Sequence, residues 1–219
     1  MDITDSIEVQ PTFTGYLAQP AGGTGNSVLV FHAWWGLNDF FKSFCRRLAG
    51  EGFITLAPDF YHREVARTIP QAEQLMKNMD DAAARQQAAG AASYLSSLPG
   101  VESKRLAVIG FSMGAGYAID LAANQPEAVN QAIIFYGTQD ADFSRSQAAF
   151  QGHFAGEDPY ESKEDVGRLE ERLKAAGRPV QFYTYPGTKH WFYEADRPEY
   201  DATAAEHAWQ RTLEFLNTK

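Results

Sequence analysis

The pentapeptide Gly110-Phe111-Ser112-Met113-Gly114 sets a serine between glycines two residues away on each side. It follows the apolar run RLAVIG and opens the segment MGAGYAIDLAAN. A G-x-S-x-G turn between a strand and a helix holds its serine in strained backbone at the carboxyl edge of a sheet. The flanking glycines let helix and strand approach closely, and the helix dipole favours negative charge near the hydroxyl. A serine hydroxyl is a weak nucleophile. It needs a base, usually histidine, that is itself oriented by a carboxylate. On such a turn the partners follow in chain order, acid and then histidine.

Three of the five histidines follow Ser112: His153, His190 and His207. His207 falls in a C-terminal helical segment, on a solvated side. His153 is in a strand-like run, where a satisfied core histidine is the commoner outcome. His190 stands in YPGTKHWF, a glycine-containing loop after the strand VQFYTY, and suits a base reaching back to Ser112. Asp158, in HFAGEDPY, follows a strand at its carboxyl end, where catalytic loops belong in open parallel sheets. Its ordinary alternative is a turn residue before Pro159. Glu157 is expected to point away, and Asp140 and Asp142 follow an earlier strand.

Acyl chemistry also needs N–H donors for an oxyanion. One is expected from Met113, directly after the serine, and the second from Trp34 in the early loop HAWWGLN. Trp34, Trp35, Tyr136, Trp191 and Phe192 are candidates for an apolar acyl or ring pocket, and each is equally readable as core. His32 has no partner at H-x-x-x-H or H-E-x-x-H spacing, so no metal is expected. There is no G-x-x-x-x-G-K-[ST] loop, and GAGYAI fails the dinucleotide fingerprint at its last glycine, so no cofactor is expected.

These residues need a scaffold, and 219 residues at 44% hydrophobic supply one. A chain of this length buries roughly 70–75% of its unfolded surface. Nineteen Lys and Arg against 28 Asp and Glu give a net charge of −9. That balance argues against nucleic acid and anionic membranes as partners. The one cysteine, Cys45, excludes an intrachain disulfide and sits among helix-spaced apolar residues, as a buried thiol does. The start MDITDSIEVQ has no basic region followed by an apolar run, and no apolar stretch approaches the roughly 18–20 residues of a membrane span. A cytoplasmic protein is expected.

Strand-like and helix-like segments alternate after the turn at 18–26. Strands are expected at Ser27–His32, Phe53–Leu56, Arg105–Gly110, Ala132–Tyr136, Ala148–Ala155 and Val180–Tyr185. Helices are expected at Asp39–Ala49, over one long stretch Ile69–Leu98 capped by Thr68 with Gln71, and at Met113–Asn124. Two more are expected, one capped by Ser162 with Asp165 and ended by Gly177, and the last over Ala202–Asn217 with Ala205, Trp209, Leu213 and Leu216 on one face. The alternation implies a single α/β domain over 1–219, with a mostly parallel central sheet, helices on both faces and no large cap domain.

Five motifs carry a resemblance. HAWWGLNDFFKSFCRRLAGEGFITLAPDFYHR, IGFSMGAGYAIDLA, IIFYG, HFAGEDPY and YPGTKHWFYEADRPEYDATAAEHAWQRTLEFL, in this order and spacing, are similar to the dienelactone hydrolase family of α/β-hydrolases. The resemblance runs from about Gly25 to Phe215. It implies Ser112 as nucleophile, Asp158 as orienting acid, His190 as base, and Trp34 and Met113 as oxyanion donors. A cofactor-independent hydrolase of small to medium esters or lactones is expected, as a monomer or small homo-oligomer. The type enzymes carry cysteine where this chain has Ser112, and a glutamate where it has Ala33. The two changes go together, since a serine activated by histidine has no use for that glutamate. Arg63 and Arg67 lie near the loop where the family's arginines hold a substrate carboxylate, and Arg63 is the candidate here. The rival readings are a thioester or small-amide hydrolase with the same triad, and a binding protein without turnover.

Overall fold

The computed structural model describes residues 3–10 and 13–218. It is an α/β fold whose eight-stranded sheet has the order β1-β2-β4-β3-β5-β6-β7-β8. The chain forms two compact units, one ending at Ile109 and the other beginning at Gly110.

The first unit contains β1 (Ile3–Val9), β2 (Thr14–Pro20), β3 (Ser27–Phe31), α1 (Asp39–Gly50), β4 (Ile54–Pro58), α2 (Ile69–Asn78) and α3 (Asp81–Ser97), and most of β5 (Leu106–Phe111). Every residue of β3, β4 and β5 is buried, as near-continuous apolar runs in parallel strands must be. β3 and β4 pair in parallel, while β1–β2 and β2–β4 are antiparallel. The Asn38 side chain caps α1 by accepting from the Phe40 and Phe41 N–H groups, and the helix buries Phe41, Phe44, Cys45 and Leu48. The alanines of α3 (Ala84, Ala88, Ala91, Ala92) form its buried stripe against β3 and β4, where only small side chains allow close approach.

The second unit contains α4 (Met113–Asn124), β6 (Val129–Phe135), β7 (Ala149–Glu157), α5 (Lys163–Ala175), β8 (Val180–Lys189) and α6 (Ala202–Leu216). β6, β7 and β8 pair in parallel, and the β7–β8 register shifts between Ala155 and Glu157. Ser162 and Asp201 cap α5 and α6 by accepting from the Asp165 and Ala204 N–H groups.

Four local expectations are corrected. The stretch Ile69–Leu98 is two helices rather than one, because Asp80 takes extended backbone and caps α3 with its own carboxylate. β1 and β2 precede the turn, and that turn begins only after Pro20. β8 continues through Pro186 and Gly187 to Lys189, so His190 follows a strand end rather than a loose loop. In α6 the buried face includes Thr212 and Phe215, Leu213 is half-buried, and Asn217 is the C-cap. Among the described residues, no helix is long and apolar enough to cross a membrane.

Candidate active site

Ser112 occupies the turn between β5 and α4 with φ 50° and ψ −116°, a strained backbone for a residue with a side chain. Two hydrogen bonds hold it there. Its N–H donates to Phe135 O at 2.9 Å, and its carbonyl accepts from the Ala115 N–H at 2.9 Å. The glycines are needed for close approach. A Cβ at Gly110 would lie 2.7 Å from Ala115 Cα and nearer still to the Gly114 carbonyl. A Cβ at Gly137 would lie 2.6 Å from both Ser112 O and Ala115 Cβ. Met113 is the first residue of α4.

His190 comes directly after β8, and its ring reaches Ser112 and Asp158 together. The Ser112 Oγ is 2.9 Å from His190 Nε2. His190 Nδ1 lies 2.8 Å from Asp158 Oδ2 and 2.9 Å from Oδ1. An ionised carboxylate only accepts, so Nδ1 carries the proton and Nε2 is left to accept from the serine hydroxyl. Asp158 is held in its turn, its Oδ1 accepting the Tyr160 and Glu161 N–H groups at 2.9 and 3.1 Å. The side chains of His190 and Asp158 are each only 4% exposed, so their interaction is little screened by water.

Aromatic rings close around the imidazole. Tyr136, Tyr160 and Trp191 have ring centroids 5.0, 4.9 and 5.0 Å from that of His190. Tyr160 is half-exposed and the other two are buried. Tyr136 (φ 36°) and Trp191 (φ 67°) both sit in left-handed backbone. The Tyr136 N–H donates to His153 O at 2.8 Å, and its hydroxyl donates to Glu194 Oε1 at 2.8 Å. Phe192 is entirely buried between Tyr136 and Tyr185.

Two further carboxyls stand near the triad geometry. Glu194 is completely buried, and burial pushes its carboxyl up to about 8. Glu161 accepts from Thr138 Oγ1 at 2.7 Å, and burial raises it to about 7, with the Asp158 charge adding in the same direction. Tyr160, Glu161 and Glu194 were not singled out from sequence. Tyr160 and Glu161 stand two and three residues after Asp158, the spacing at which an Asx turn recruits backbone N–H groups, and that was the available signal.

His153, His207 and the Cys45 thiol take their expected places. His153 is a core residue, its Nδ1 2.8 Å from the Tyr185 hydroxyl and its Nε2 3.0 Å from Gln151 Oε1, and burial holds it down to about 3. His207 is exposed. His32 donates from Nδ1 to Ala33 O at 2.7 Å and accepts the Phe60 N–H at Nε2, 3.1 Å away; burial lowers it, so it remains neutral. Cys45 is buried, which pushes its thiol up to about 12.

Trp34, Trp35 and Arg63 belong to the first unit. Trp34 and Trp35 meet edge to face at 5.5 Å in the turn after β3, both buried. Arg63 is exposed with φ 76°, and its N–H donates to Asp59 Oδ2 at 2.6 Å. With Asp59, Leu37 and Lys42 it lines a depression of about 280 Å³. Among the described residues, no cluster of three His, Cys, Asp or Glu is arranged to hold a metal ion.

A family model described as the dienelactone hydrolase family matches residues 13–219. A protein of Aquifex aeolicus provisionally named carboxymethylenebutenolidase is 31% identical over 216 residues, covering 93% of this chain and 92% of the relative. A Bradyrhizobium protein provisionally named 2-oxo-3-(5-oxofuran-2-ylidene)propanoate lactonase is 29% identical over 218 residues, covering 92% of this chain and 87% of the relative. In fold, the crystal structure of a Klebsiella pneumoniae protein provisionally named dienelactone hydrolase matches with a TM-score of 0.89 at 24% identity, covering 100% of both chains.

Proposed function

Since the chain belongs to the dienelactone hydrolase family and is therefore a hydrolase, we propose that it cleaves small to medium carboxylic esters or lactones through an acyl-enzyme on Ser112. The observation that carries this reading is the continuous line of hydrogen bonds from the Ser112 hydroxyl through His190 to Asp158. The names of the Aquifex and Bradyrhizobium relatives, both of lactone-cleaving type, support the substrate class.

The steps follow from the protons. Ser112 Oγ attacks the carbonyl carbon while its proton passes to His190 Nε2. Asp158 stabilises the imidazolium that forms. The carbonyl electron pair moves to oxygen, and the N–H groups of Met113 and Trp34 are our candidates to receive that oxyanion. Collapse breaks the bond to the leaving alkoxide, which takes the proton from His190. For a lactone the alkoxide remains tethered to the acyl group. Water then gives its proton to His190, its oxygen attacks the acyl carbon, and the acid leaves as Ser112 recovers its hydrogen.

Serine can serve here in place of the cysteine of the type enzymes because His190 is within direct reach of the nucleophile. We assign Trp35, Tyr136, Trp191, Phe192 and Arg63 to the substrate side of the site as a secondary proposal. Alanine variants of Trp35, Trp191, Phe192 and Arg63 are expected to change KM more than kcat for at least one ester of a graded acyl series. An unchanged KM across the series removes a residue from this set. We also read residues 1–219 as one catalytic domain of a cytoplasmic monomer or small homo-oligomer; cell fractionation tests the compartment and light scattering the assembly.

The direct test is turnover of p-nitrophenyl acetate and butyrate by Ser112→Ala. Loss of at least about 10³-fold in kcat is expected, the scale on which removing a triad nucleophile acts. Turnover within tenfold of wild type by the folded variant would exclude Ser112 as the nucleophile.

A further inference from the structure

Glu194 is a completely buried acid that the hydrolytic steps leave unused, and its position relates it to both halves of the proposed proton path. It lies four residues after His190, in a chain reversal where its N–H donates to Trp191 O and its carbonyl accepts the Arg197 N–H, each at 2.9 Å. Its Oε1 accepts the Tyr136 hydroxyl at 2.8 Å. Tyr136 directly follows Phe135, the residue whose carbonyl holds the Ser112 N–H. The Tyr136 ring lies against the His190 imidazole at 5.0 Å and against Phe192 at 5.6 Å.

One side-chain hydrogen bond thus ties the strand end that fixes the serine backbone to the turn that presents the histidine. We propose that the Tyr136–Glu194 hydrogen bond is a positioning device: it holds the turn after His190, and so the imidazole, in register with Ser112. The inference rests on the reading of Ser112 and His190 as nucleophile and base. Left-handed backbone at both Tyr136 and Trp191 fits a device of this kind, since such conformations persist only where the surroundings over-determine them. A neutral pair suits a dry site, because an isolated carboxylate there would be strongly disfavoured. Burial raises both the Glu194 carboxyl and the Tyr136 phenol, which keeps the pair uncharged at neutral pH.

A packing role and a positioning role separate in the variant Tyr136→Phe, which keeps the ring and removes only the hydroxyl. Glu194→Gln keeps an acceptor oxygen and is the conservative rescue. Each is measured for kcat and KM on p-nitrophenyl butyrate and for the second-order rate of labelling by a fluorophosphonate. We expect Y136F to lose about tenfold in kcat and in labelling rate, with KM within twofold, the scale of one lost buried hydrogen bond. E194Q should keep at least half of wild-type kcat, and the double variant should be no slower than Y136F alone. Y136F within twofold of wild type in kcat and labelling would overturn the inference. So would a loss carried by KM alone, which would leave Tyr136 a pocket wall and nothing more. Wild-type protein that does not label at all would instead overturn the reading of Ser112, and the inference with it.

Discussion

Asp158 decides which nitrogen of His190 faces the serine. With the carboxylate at 2.8 Å from Nδ1, the proton stays on that nitrogen and Nε2 is free to accept from Ser112. Asp158→Asn preserves an oxygen for the Tyr160 and Glu161 N–H groups, so the turn survives, but the amide can present N–H to Nδ1 and favour the other tautomer. We expect kcat to fall on the order of 10³–10⁴-fold with KM little changed; steady-state kinetics showing less than a tenfold loss would contradict the assigned tautomer. At this scale the sequence is informative where chain order constrains the answer. The glycine-flanked serine, a later acid and a still later histidine can be read from residue type and placement. The Tyr136–Glu194 bond cannot, because it joins residues 58 apart that no local period relates. Glu194 also reads as an ordinary charged residue in YEADRP until its complete burial is seen.

At the scale of elements, the strand-to-helix turn depends on backbone proximity. A methyl group at Gly110 would meet the backbone of Gly114 and Ala115 rather than a flexible side chain. Gly110→Ala should therefore destabilise the protein by about 1–3 kcal/mol, the usual cost of overpacking, and reduce activity with it. Urea denaturation checks this, and a midpoint equal to wild type would mean that the turn relaxes more easily than the close approach of Gly110 to Gly114 and Ala115 implies. A milder change is expected at Asp80→Ala, where the cap of α3 is lost for about 1 kcal/mol while activity is retained. That cap also explains a misread boundary. KNMDDAAAR contains neither glycine nor proline, so helix propensity alone runs straight through the break that Asp80 makes. β1 likewise carries no mark in the sequence: Thr4 to Ile7 are all exposed, so no buried alternation marks the strand. Pro186 and Gly187 read as breakers that would end β8 at Tyr185, yet the strand passes through them where the β7–β8 register shifts.

For the whole molecule, the buried acid makes stability depend on pH. In the unfolded chain a glutamate titrates near its ordinary 4.5, whereas burial keeps the Glu194 proton on to about 8. Between those values the folded state binds one proton more than the unfolded state. Stability therefore falls as pH rises, by at most about 1.4 kcal/mol per pH unit from this group. The Tyr136 hydrogen bond and Arg197 moderate the shift, while Asp196 and Glu199 add to it. Glu194→Gln removes this dependence, so its stability relative to wild type should climb from pH 5 to pH 8. Urea denaturation across that range would contradict the account if the difference between the two proteins were flat. His153, held down to about 3, acts in the opposite sense below about pH 6.5, but it is common to both proteins and cancels in the comparison.

The overall architecture was the most legible level of all. Alternating apolar strands and capped amphipathic helices leave few arrangements other than a mostly parallel sheet, and the eight-stranded order agrees. The central claim, that this scaffold activates Ser112, is tested most directly by intact-mass analysis after exposure to a fluorophosphonate. The account predicts a single adduct on the wild-type protein, absent from Ser112→Ala and strongly slowed in His190→Ala. A folded wild-type protein that gains no adduct, or an adduct that persists in Ser112→Ala, would contradict it.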